Sequence, residues 1–154
     1  MDAGLQIWEA KMRTGHSTLL IISLTVLTLV GGASIEAEDS PVETALEVAE
    51  AWLELVDEGE YAKSWEEAAA YFRGAVRLDD WQQTMMGARS PLGEVVSREL
   101  MEAKYQSRLA GAPDGEYVLI RFKTSFSNKA DTVETVVPML DPDGRWRVSG
   151  YYFK

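Results

Sequence analysis

The chain has 154 residues, with 25 acidic against 15 basic side chains, no cysteine and one histidine, His16. That length suits a single domain, and the missing cysteine excludes disulfide scaffolds, thiolate metal sites and cysteine nucleophiles. A net charge of −10 argues against a general grip on nucleic acid or anionic lipid, since both need clustered Lys and Arg.

The N-terminal residues form the pattern of an export segment. Lys11, Arg13 and His16 precede an uncharged apolar run of 12 residues, Leu19 to Val30, and Gly31-Gly32-Ala33-Ser34 follows it. A basic stretch, a short apolar run and small residues at its exit are the parts of a secretory signal peptide. Residues 1–33 are read as that peptide, cut after Ala33, and 34–39 as a short linker into one domain over 40–154. With no cysteine after the run, a lipoprotein anchor is ruled out. A start at Met12 would give a more typical layout, because Asp2 and Glu9 mix the charge of the leader. The alternative is an uncleaved anchor, since Ser17 to Ile35 is 19 residues without charge, near the ~20 that span a bilayer. Cleavage removes His16 together with two acids and two bases, so the mature domain has neither thiol nor imidazole and keeps its −10.

Ser40-Pro41-Val42-Glu43 predicts a helix start, with Ser40 capping, Pro41 in the first turn and Glu43 closing a capping box. Val42, Ala45, Leu46, Ala49, Trp52, Leu53 and Val56 then recur at helical spacing, and Gly59 ends the helix. A second helix is predicted from Tyr61 to about Val76. A third starts at Asp79 or Asp80, carries Trp81 and Met85, and stops near Arg89-Ser90-Pro91-Leu92-Gly93. Glu94 to Leu109 has helical propensity. Tyr117 to Phe126 alternates, Thr132 to Leu140 is rich in Val and Thr, Asp141-Pro142-Asp143-Gly144 is a turn, and Arg145 to Phe153 alternates again. Pro138 implies a sheet edge or a bulge. Helices followed by antiparallel strands make an α+β domain of two layers.

A wider pattern runs from Ala51 to Lys154. It comprises Trp52-Leu53 with Asp57 and Gly59, Tyr61 with Ser64-Trp65, Ala68-Ala69, Phe72, Trp81 and Arg89-Ser90-Pro91-Leu92-Gly93. It continues through Ser97-Arg98, Pro113 to Tyr117, Thr124-Ser125-Phe126, Asn128-Lys129, Glu134-Thr135 and Asp143 to Tyr152. These residues resemble the bacterial family known as domain of unknown function 4019. The resemblance implies the cone-shaped α+β fold of nuclear transport factor 2 and ketosteroid isomerase, with three helices in the concavity of a curved four-stranded antiparallel sheet. It also implies that Glu94–Leu109 is a strand, with Val95, Ser97, Met101, Ala103 and Tyr105 on one face and Arg98, Glu102 and Lys104 on the other. It brings no activity and no catalytic residue.

Four constellations bear on function. Without His or Cys, an enzyme would be confined to carboxylate and tyrosine acid–base chemistry. It would draw on Tyr105, Tyr117, Tyr151 or Tyr152 with Glu102, Glu116 or Glu134. Ser125, Asn128, Lys129 and Glu134 surround one hairpin, either as turn structure with a Lys129–Glu134 pair or as a polar rim for a ligand. Arg121, Lys123, Arg145 and Arg147 alternate on two strands, either as a solvated face or as a receiver for an anionic group. The aromatics Trp52, Trp65, Phe72, Trp81, Tyr105, Phe122, Phe126, Trp146 and Tyr152 are core first, with a pocket between helices and sheet as the further reading.

The expected function is a noncatalytic module of the cell envelope, periplasmic or secreted, holding a small apolar or amphipathic ligand or a protein partner. Binding residues are expected among Ser125, Asn128, Lys129, Glu134, Arg121, Arg147 and Tyr105. Neither cofactor nor metal is expected, nucleic acid is excluded as a partner, and a homodimer is compatible with the fold. The alternatives are a small cofactor-independent enzyme and an inner-membrane-anchored, sensor-like domain held by the uncut N-terminal segment.

Overall fold

The computed structural model describes residues 40–154, so the signal-peptide, anchor and linker expectations fall outside the described residues. Within them the order is α1 (Pro41–Asp57), α2 (Tyr61–Glu66), α3 (Ala70–Ala75), α4 (Leu78–Arg89), then β1 (Val95–Gln106), β2 (Tyr117–Phe126), β3 (Lys129–Leu140) and β4 (Trp146–Phe153). The strands form one antiparallel sheet in the order β1-β2-β3-β4. The domain is α+β, with helices first and a meander after them.

Both ends of α1 follow from the sequence. The Ser40 hydroxyl accepts from the Glu43 amide while the Glu43 carboxylate accepts from the Ser40 amide, so two orphan donors are satisfied at once. At the other end Gly59 takes φ +78°, its amide donates to Val56 O, and the Glu60 amide donates to Leu55 O. That is a Schellman stop, and glycine supplies its left-handed residue without strain.

The helix expected over Tyr61–Val76 is instead two short ones. The chain opens at Ala68-Ala69 because the Ala69 amide donates to Val148 O of β4 at 2.8 Å, a bond no helix interior allows. The Arg73 guanidinium then caps the freed Glu66 and Ala68 carbonyls. Ala68 and Ala69 are fully buried at this break, where larger side chains would not fit against the sheet.

The helices cover one face of the sheet. Ala45, Ala49, Trp52, Leu53 and Val56 of α1 pack with Phe72, Trp81 and Met85 onto Val118, Ile120 and Phe122 of β2, Val136 of β3 and Val148 of β4. The alternation read in β2 is the one observed: Val118, Ile120, Phe122, Thr124 and Phe126 are all buried. A smaller cluster forms on the opposite face, where the β1–β2 connection brings Leu109 and Ala112 over Tyr117, Val137 and Met139.

Glu94–Leu109 corrects its propensity, since Val95–Gln106 is strand β1. Its facing differs from the expected one as well. Register shifts at Val95/Ser97 and Leu100/Glu102 insert extra residues, and each such bulge resets the alternation. Arg98 therefore lies opposite buried Thr124 and points inward, while Ser97 lies opposite Ser125 on the outer face. Pro138 sits on an interior strand at a register shift, so the bulge reading holds and the edge reading does not.

Candidate functional site

One polar cluster is drawn from six elements. Asp57 ends α1 and Arg89 ends α4, while Arg98, Thr124, Glu134 and Tyr151 come from the four strands in turn. Glu134 is 0% exposed. Its Oε1 accepts from Arg89 Nη1 at 3.0 Å and from the Tyr151 hydroxyl at 2.5 Å. Its Oε2 accepts from Arg98 Nε at 2.8 Å and from the Thr124 hydroxyl at 2.5 Å. Asp57 accepts from Arg89 Nη2 at 2.5 Å and receives Arg98 through two bonds of 2.7 and 3.0 Å. The Arg89 guanidinium also lies 4.6 Å from the Phe126 ring centroid.

Two arginines and two carboxylates make the cluster neutral, and the electrostatics follow from that. Burial acts to raise the Glu134 carboxyl. The Arg98 bond and charge, with the Thr124 and Tyr151 hydroxyls, outweigh it and hold the group below the ordinary glutamate value. Burial and the neighbouring Glu134 charge push the Tyr151 phenol far above its usual range. Asp57 sits where a helix dipole disfavours an anion, and α1 carries no basic residue in its last turn. The two arginines supply the compensation from elsewhere in the fold.

Chemically this cluster is saturated. A carboxylate offers about four acceptor positions, and all of those on Glu134 are filled by protein donors. The other close phenol–carboxylate pair, Tyr105 OH to Glu116 Oε1 at 2.6 Å, is exposed at the surface. That bond, before burial, raises the Tyr105 phenol.

The hairpin residues separate. Glu134 faces the helices, Ser125 faces the other side of the sheet, and Lys129 is exposed at the start of β3. The suggested Lys129–Glu134 pair is not formed, because both belong to β3 and Glu134 is engaged by Arg89 and Arg98. Asn128 ties the turn to the chain before β1, its amide donating to Leu92 O at 2.9 Å and its side chain to Pro91 O at 3.3 Å. Ser127 joins it, donating its amide to Glu94 O and accepting from the Glu94 amide. The turn is thus a dock for the Pro91–Glu94 segment.

Gly93 makes that dock feasible. Its φ is +77°, and a Cβ placed there would lie 2.0 Å from Ser127 Oγ. Gly93→Ala is expected to cost about 1–3 kcal/mol, because left-handed strain adds to the displacement of Ser127. Thermal unfolding of the variant checks this, and an unchanged Tm would show that the contact carries no weight.

The four cations do not form one receiver. Arg121 approaches Glu102 at 3.7 Å, Lys123 pairs with Asp131 at 2.9 Å, and Arg147 spans Asp141 and Asp143 at 2.9 and 2.8 Å. Arg121 lies opposite Thr135 and Arg147 opposite Met139, so β3 and a four-residue offset separate them. Hydrogen bonds from Arg147, with smaller help from Arg145, hold Asp143 down at about 2.

Surface concavities among the described residues include a cleft and a groove. A cleft of about 450 Å³ lies where α1, the α2–α3 link and the start of β4 meet, with Trp52 and Trp146 among its walls. A groove of about 320 Å³ crosses the outer face, between Tyr71, the Leu109–Ala112 loop and Tyr152. Tyr71 and Tyr152, which both line it, are 41% and 57% exposed.

Sequence reasoning missed the central role of Asp57, Arg89 and Arg98. The available signal was Glu134 itself: a carboxylate inside the Val- and Thr-rich run of β3 requires a cation from elsewhere. Arg89, at the buried end of an amphipathic helix, was the matching half of that signal.

The family described as protein of unknown function (DUF4019) matches residues 48–151. The chain belongs to that family. No curated protein and no solved structure matches it.

Proposed function

We propose that this DUF4019 domain is a noncatalytic binding module exported to the cell envelope, acting in the periplasm or as a secreted protein. Export is supported by Lys11 and Arg13 before the apolar run Leu19–Val30 and by the small residues that follow it. The fold is read as the cone type, supported by helices that cover one face of a sheet bent by three sets of register shifts.

The observation that carries the noncatalytic reading is the filled interior. An acid–base enzyme needs a carboxylate and a phenol converging on a substrate atom. Here Glu134 and Tyr151 converge on each other, and Tyr151 packs against a core that Trp52, Trp81, Phe72 and Phe122 fill at 8% exposure or less. Recognition then falls to the cleft and the outer groove, where a small amphipathic ligand, a protein partner or a second copy could seat. Among the described residues no helix is long and apolar enough to cross a membrane.

Native mass spectrometry on protein recovered from the periplasm tests this reading. The expected species is a chain beginning at Ser34 with a bound small molecule or a second subunit. An uncleaved chain retained at the membrane, or a bare monomer, would overturn it.

A further inference from the structure

The cleft beside α1 has an unusual charge pattern for its size. Its floor is apolar, with Trp52 and Trp146 next to the small side chains of one α1 face. Around it stand Arg73, Arg145 and Arg147 against Glu66 and Glu67. Arg147 is committed to Asp141 and Asp143. Arg73 donates through Nη1 to the Glu66 and Ala68 carbonyls, which leaves its charge without a carboxylate partner among the described residues. Arg145 likewise makes no ion pair among the described residues, and its side chain is exposed at the rim. Glu66 and Glu67 line the same cleft, are exposed, and also make no ion pair among the described residues.

Two cations and two anions that form no ion pair among the described residues thus line one apolar floor. An anionic ligand would meet the arginines and be repelled by the glutamates, and a cation would meet the reverse. A ligand bearing both charges satisfies both sets. We infer that this cleft binds a small zwitterion with an apolar side group, of the α-amino-acid class. Its carboxylate would sit on Arg145 and Arg73, where a planar guanidinium can bind through two parallel bonds. Its ammonium would sit at Glu66 and Glu67, and its side group on the tryptophan floor. The volume of about 450 Å³ lies within the range of small-molecule sites. This inference rests on the reading of the chain as a binding module and names a ligand class for it.

The test is calorimetric titration of the purified chain with L-phenylalanine, N-acetyl-L-phenylalanine and L-phenylalaninamide. The free amino acid is expected to bind at least about tenfold more tightly than either blocked form, the scale of one lost charge-assisted contact. Arg145→Ala is expected to weaken L-phenylalanine by a similar factor and to leave the amide, which has no carboxylate, unchanged. The Glu66→Gln, Glu67→Gln double variant should do the converse with the N-acetyl form. All three residues are exposed, so the variants should melt with the parent. No heat at millimolar ligand, equal binding of the blocked forms, or binding of phosphocholine in place of the amino acid would overturn the assignment. A ligand that co-purifies with the Arg145→Ala protein would overturn this site yet keep the binding-module reading, whereas a bare monomer in the native spectrum would end that broader reading.

Discussion

A Glu134→Ala protein is expected to be less stable than the parent by about 3–5 kcal/mol, the usual cost of removing one partner from a buried ion pair. The domain has only about 5–15 kcal/mol in total, so urea denaturation should show a large fall in midpoint with the slope preserved. The reason is specific to this cluster. Among the described residues, Glu134 is the only carboxylate that reaches both arginines from within the sheet, and it accepts four hydrogen bonds with 0% exposure. Its removal leaves Arg89, itself 5% exposed, and Arg98 sharing the single charge of Asp57, and takes the carboxylate acceptor from the Thr124 and Tyr151 hydroxyls. Asp57 cannot replace it, because its two oxygens already hold Arg89 and Arg98 from the α1 side.

Glu134→Gln keeps the volume and separates charge from shape. Its amide nitrogen would have to face either Arg98 or Arg89, donor against donor, so it too should destabilise. It also tests the pH dependence. The Glu134 carboxyl is depressed in the folded chain, so its contribution is fully present above the unfolded glutamate value of 4.5 and is lost as pH falls through the folded value. The parent should therefore lose stability on the acid side of pH 4.5, and Glu134→Gln should flatten part of that limb. A variant as stable as the parent, with an unchanged acid limb, would show that the cluster is not what ties the six elements together.

The parts of this fold that were legible are those decided locally. Ser40, Pro41 and Glu43 specify a cap through bonds within one turn, and Gly59 specifies a stop by its backbone freedom. The buried face of β2 is a matter of period alone. Illegible parts are those decided by a distant partner. Nothing near Ala68-Ala69 signals a helix break, because the competing acceptor is Val148 O, about eighty residues further along the chain. The inward turn of Arg98 depends on bulges in β1 whose position is set by pairing with β2. The site follows the same rule. Glu134 was visible as a candidate through its residue type, but its partners are scattered over α4 and three other strands. Only the assembled fold shows that it is braced by Arg89 and Arg98. Arg121 and Arg147 show the same limit, since alternation places charges on strands without saying which acid each will meet.

Trp52→Ala is expected to cost about 3–5 kcal/mol, by lost transfer energy and by the cavity it leaves. Trp52 is 3% exposed, lies 5.8 Å from the Trp81 ring and 5.4 Å from the Tyr151 ring, and donates Nε1–H to Ser64 O at 2.7 Å. Ser64 is buried as well and accepts Trp81 Nε1–H on its hydroxyl at 3.0 Å, so both indoles are pinned to one residue of α2. Trp52→Phe should lose less, about 1–3 kcal/mol, because it keeps a ring in place but strands the Ser64 carbonyl. The two variants together weigh packing against hydrogen bonding at a single position. Trp52 also touches Tyr151, whose hydroxyl bonds Glu134, so the aromatic core and the ion cluster share a side chain. A double-mutant cycle between Trp52→Phe and Glu134→Gln, both mild enough to fold, should therefore show a coupling of about 0.5–3 kcal/mol. Strict additivity would mean that Tyr151 holds its place without Trp52, and that core and brace stabilise the domain independently.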